Sequence, residues 1–169
     1  MNILAASLAG NFDAGAALGA GVLGGLAFLM VVTMGLAVGM TRMNFLEVLG
    51  TMMTPNGSRA TVYGVGLMAH LMASAGFGLA HAGVLHAIGV TSVGQAAGWD
   101  LAIGAAHGAV VLLVLPMMLS AMHPLVRRQA MDAPGVALTG FGPGTPIGSL
   151  MAHVVFGLVV GAVYASAVL

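Results

Sequence analysis

The chain has 169 residues, of which 60% are hydrophobic and only 5% charged, and its mean hydropathy is +1.09. A soluble domain carries roughly 25% charged residues, so a water-facing surface is excluded and the sequence is read as an integral membrane protein. A net charge of zero excludes a basic face for nucleic acid, and the lack of cysteine excludes disulfides, thiolate metal sites and cysteine nucleophiles.

Met1–Phe12 reads as a mildly apolar tail lying in the membrane interface. A first spanning helix is expected from about Ala14 to Met40. The connector Thr41–Arg59 contains NFLEVLGTMM, which reads as a short interfacial helix with Asn44 as its cap, and Pro55-Asn56-Gly57-Ser58 breaks the chain after it. The second span, Ala60–Gly89, has no formal charge and is long enough to cross a bilayer, for which about 20 apolar residues suffice. Ser92 and Gln95 stand at capping-box spacing before a third span over Gln95–Met122, in which Pro116 is expected to bend the helix. His123–Thr145 reads as a long loop, and Pro146 suits the first turn of a fourth span that runs to the C-terminus.

All four arginines (Arg42, Arg59, Arg127 and Arg128) fall in the connectors between spans 1–2 and 3–4. The positive-inside rule then puts those connectors in the cytoplasm and both termini on the non-cytoplasmic side. The tetrapeptide LMAH occurs twice, at Leu67–His70 and Leu150–His153, 83 residues apart. The same offset, without a gap, pairs Ala14 with Ala97, Leu18 with Leu101, Gly21 with Gly104, Gly25 with Gly108 and Met34 with Met117. The expected architecture is therefore all-α: one four-helix transmembrane domain over residues 1–169. It is an up-down bundle built from a duplicated helical hairpin, with repeats at about 14–89 and 97–169 and a pseudo-twofold axis along the membrane normal.

Small residues recur four apart on every span, as in Gly21/Gly25, Gly35/Gly39, Ser74/Gly78, Gly104/Gly108 and Gly157/Gly161. In lipid such spacing lets backbones pack closely, within one bundle or against other subunits or a second copy. Apart from Met1, every methionine falls toward the arginine-bearing side, which reads as adaptable filler or as one wall of a soft-metal or apolar-ligand cavity. Met118, Met122 and His123 form the one run in which thioethers are joined by a second ligand type, and they are the candidate copper ligands.

Ionisable groups inside a membrane are costly and face the bundle interior. His70 and His81 are eleven residues apart, about three turns, and share a face with Tyr63 and Ser74. His153 and Tyr164 repeat that spacing, and His107 falls near mid-membrane opposite Gly24 of the other repeat. His70, His153 and His107 are the candidate binding residues. Three readings stand open for them: neutral imidazoles bonded to neighbouring helices, a proton or metal path, or bis-histidine haem ligation. No carboxylate is expected mid-span and Asp100 is read as lying near the outer face, which argues against a proton-driven pump. Glu47 and Asp100 are expected at opposite faces, so no acid–base pair forms. GFGPGTP at Gly140–Pro146 lacks the Lys-Ser/Thr ending of a phosphate loop and reads as a connector.

TRMNFLEVLGTMMTP, MHP at Met122–Pro124, GFGPGTP and AHVVFGLVVGAVYA together resemble a group of small bacterial four-span membrane proteins with no assigned activity. The resemblance implies a four-helix fold in the bacterial cytoplasmic membrane and supplies no catalytic residue. The functional expectation is a non-enzymatic, multi-pass protein without a cofactor, acting as a small structural or accessory subunit of a larger membrane complex. The alternative is a small transporter or a binding protein for a metal, haem or other ligand, using the intramembrane histidines and methionines.

Overall fold

A computed structural model describes residues 12–169; all of the expected interfacial tail except Phe12 lies outside the described residues. Four helices are long and apolar enough to cross a membrane: α1 (Ala14–Ala37), α3 (Arg59–Ala87), α4 (Val93–Met122) and α6 (Thr145–Val168). Between them lie the short helices α2 (Phe45–Met53) and α5 (Pro124–Arg127), and a 3-10 turn over Val136–Phe141. The chain is a multi-pass membrane protein, all-helical over the described residues.

Helix starts follow the capping residues. Asp13, Asn44, Ser58 and Ser92 each accept a backbone N–H from the first turn, at 2.9, 3.3, 3.2 and 3.2 Å. Gln95 reaches back to the N–H of Thr91 rather than to that of Ser92 itself. The first two spans stop slightly earlier than expected, because Gly39 and Gly89 take φ of +75° and +67° and turn the chain out of the helix. The segment expected as one long loop is partly helical. His123 caps α5 by accepting the N–H groups of Leu125 and Val126, and Pro124 follows at the first helical position. Pro116 sits inside α4 without ending it.

Within each hairpin the helices run antiparallel on glycine. A methyl group added at Gly78 would fall 2.7 Å from the Cα of Gly21, and one at Gly157 would fall 3.1 Å from the Cα of Gly104. Gly25, Gly108 and Gly161 are equally crowded by the facing helix, so most of the small-residue pairs read from the sequence are spent inside the bundle. Gly35 and Gly39 are not crowded in this way.

The hairpins join through α1 and α6, which run antiparallel with Gly24 against Phe156 and Val160. By contrast, α3 and α4 touch little. An exact twofold would make the α1–α6 and α3–α4 junctions alike, and they differ at a matched level. The position 83 residues after Gly24 is His107, and its imidazole stands 4.2 Å, centroid to centroid, from the ring of Phe77. Glycine stands where α1 and α6 pack closely, and the His107 and Phe77 rings stand between α3 and α4.

The long connectors meet at one end of the bundle. Arg42 donates to Gly140 O at 2.9 Å, and the hydroxyls of Thr41 and Thr145 are 2.7 Å apart. Helix α2 returns from there onto α3, where Gly66 accepts the backbone of Leu46 and Gly50, and the side chain of Asn44 bonds to the Tyr63 hydroxyl. Buried His123 fixes the other flank of α2, its Nε2–H donating to Val48 O at 2.9 Å. The short helix thus plugs the connector end of the loose α3–α4 seam.

Candidate functional site

The loose seam encloses a cavity of about 430 Å³. Its back wall is Phe28 of α1 with Ser149, His153 and Phe156 of α6, and its sides are α3 (His70, Ser74, Phe77) and α4 (His107, Val111, Leu115). Its floor is α2, through Phe45, Leu49, Met52 and Met53. Phe77 is 45% exposed and Met53 is 61% exposed while both also line the cavity, so its mouth opens at the α3–α4 seam.

The lining is carbon, sulfur and a few ring nitrogens. His70 and His153 are both buried and are linked through Phe28, whose centroid lies 5.1 Å from the first imidazole and 4.9 Å from the second. Gly25 O accepts from His70 Nε2–H at 2.9 Å, and Ser149 O accepts from His153 Nδ1–H at 2.7 Å. His107 stands edge-on to His153 with centroids 4.9 Å apart.

Behind His107 runs a chain of polar groups. His81 Nδ1–H donates to Asp100 Oδ1 at 2.6 Å, and His81 Nε2 lies 3.3 Å from His107 Nδ1. Asp100 is the eighth residue of α4, roughly 10 Å along the helix from its start, and it is fully buried. The carboxylate read from the sequence as near the outer face is therefore enclosed between helices, because Gly157 and Gly161 bring α6 onto it and His81 reaches it from α3. With His81 neutral, its Nε2 accepts from His107 Nδ1–H; a proton added to His81 reverses that bond. Neither His81 nor Asp100 stood among the candidate site residues. The available signal was that Asp100 is the one acidic residue within a spanning helix, and such a residue needs a partner.

No known protein family, curated protein or solved structure matches this chain.

Of the candidate residues, His70, His107 and His153 line the same cavity. Their arrangement does not suit haem: His70 spends its Nε2 on Gly25 O, and Phe28 packs against both rings that would have to face one iron. Met118 lines the cavity, whereas Met122 is 62% exposed and both ring nitrogens of His123 are engaged with backbone. Met43, Met52 and Met53 surround the floor of the cavity. Among the described residues, no three His, Asp or Glu side chains converge closely enough to hold a metal ion. Tyr164, matched by spacing to His81, serves elsewhere: it accepts from Asp13 N–H at 3.3 Å and donates to His86 Nε2 at 2.6 Å.

Proposed function

We propose that this protein is an intramembrane binding protein for a lipophilic small molecule, which enters from the bilayer through the α3–α4 seam. The single observation that carries the reading is the seam cavity, whose size falls within the range of about 300–1,000 Å³ typical of small-molecule sites and whose apolar walls hold a few convergent polar groups. Binding fits better than catalysis. His70 Nε2–H donates to a backbone carbonyl, so that nitrogen cannot take a proton from nearby Ser74. The arginine-bearing connectors are read as cytoplasmic by the positive-inside rule, with the membrane being a bacterial inner membrane. The two hairpins are read as copies of one ancestral unit, on the strength of the LMAH pair and the 83-residue offset.

The test uses the methionines as reporters. In protein carrying ¹³C-methyl methionine, naphthalene should shift the signals of Met43, Met52 and Met118, which line the cavity. The outward-facing Met30, Met34 and Met72 should shift far less. A response spread evenly over both groups would overturn the reading.

A second role, as a subunit of a larger assembly, is favoured by one further observation. Ala73, Gly76, Ala80, Gly83 and Ala87 form an exposed stripe along α3, and a methyl group built on Gly76 or Gly83 meets nothing. Such a stripe suits close approach by another helix in lipid. Gly83→Leu should leave the monomer folded and reduce association on native gels; unchanged association would remove this reading.

A further inference from the structure

We infer that the ligand of the seam cavity is a hydroxylated ring compound of the phenol or quinol class; this rests on the ligand-binding reading above. The inference comes from which atoms lack partners. A carbonyl oxygen can only accept, so the bonds to Gly25 O and Ser149 O fix the tautomer of each neutral imidazole. His70 keeps its proton on Nε2 and His153 on Nδ1. That leaves His70 Nδ1 and His153 Nε2 as lone pairs without a partner among the described residues. His107 Nε2 is buried and unpartnered as well, and with His81 neutral it is a third lone pair.

Acceptors held in this way in an apolar chamber ask for a ligand that brings its own proton donors. A metal cation would also seek lone pairs, but among the described residues no three His, Asp or Glu side chains converge to hold one. A hydroxyl needs only one acceptor. The ring is indicated by the walls: Phe28, Phe45, Phe77 and Phe156, four of the six phenylalanines, face this space. Phe28 and Phe45 already sit 5.2 Å apart in a tilted pair, and Phe156 packs edge-on to His81 at 5.2 Å. A flat ring extends such an array of edges and faces. An apolar tail on the ring has a route to lipid past Phe77, over the Leu49–Met52–Met53 floor.

The experiment compares a short-tailed hydroquinone, kept reduced under anaerobic conditions, with its dimethyl ether. The two share ring and tail and differ in the hydroxyl protons. Both are titrated into the full chain in lipid nanodiscs, with the methyl signals of Met43, Met52 and Met118 as readout. The hydroquinone should bind at least about tenfold more tightly, the effect of one to two hydrogen bonds to otherwise unmet acceptors. In His153→Phe the preference should fall below about threefold. Equal binding of the two compounds overturns the inference, and so does a preference undiminished in His153→Phe. The wild-type comparison decides alone if that variant does not fold. Naphthalene separates the two levels: a cavity that takes naphthalene but ignores the hydroxyls overturns the ligand class only, and one that takes none of the three overturns the binding reading itself.

Discussion

Replacing His81 by leucine strips Asp100 of its hydrogen-bond partner at a position with no access to water, and the cost can be worked from the geometry. The bond is short, 2.6 Å, and the two side chains are 4% and 0% exposed, so solvent cannot take over. Breaking a buried pair by removing one member costs about 3–5 kcal/mol, mostly the penalty of the abandoned charge. Asp100→Asn alone keeps size and an acceptor for His81 Nδ1–H and loses only charge assistance, about 1–2 kcal/mol. The informative protein is the double variant. With the carboxylate gone, His81→Leu abandons only a neutral amide, so the pair should be less destabilised than His81→Leu by itself. Reversible unfolding of all four proteins in bicelles measures this as a double-mutant cycle. If the two losses simply add, or the double variant is the least stable, the account of Asp100 as a buried carboxylate held by His81 is wrong.

Three other predictions concern packing. Gly78→Leu places its side chain into the backbone of Ala17 and Gly21 and should cost at least about 1–3 kcal/mol in the same unfolding assay, whereas Gly76→Ala, which meets open space, should be neutral within about 1 kcal/mol. His123→Ala abandons Val48 O and the first N–H groups of α5 in a fully buried spot; a loss of about 2–4 kcal/mol and faster proteolysis of the Arg42–Arg59 segment should accompany it. His107→Gly should let α3 and α4 approach. Cysteines introduced at Ala73 and Val111, on opposite cavity walls of a chain that has none of its own, should then cross-link faster than in the parent. An unchanged rate would show that His107 does not hold the seam apart.

Much of the scaffold could be read from residue order because its determinants are local. Caps at Asn44 and Ser92, the break at Pro55-Asn56-Gly57-Ser58 and four long apolar runs mark the elements directly. The short helix after His123 was hidden, since it depends on a histidine that caps it while bonding to another helix far away in sequence. His70, His107 and His153 stood out as ionisable groups in apolar surroundings, and they do share one cavity. What periodicity could not give was the lateral order of helices. It placed His81 on a stripe with His70, yet only the crossing of α3 by α4 decides that it meets Asp100. Nor did it show that two junctions expected to match would pack so differently.

That difference leaves the bundle sealed along one seam and hollow along the other, so a tight helix contact and an enclosed volume coexist in one small chain.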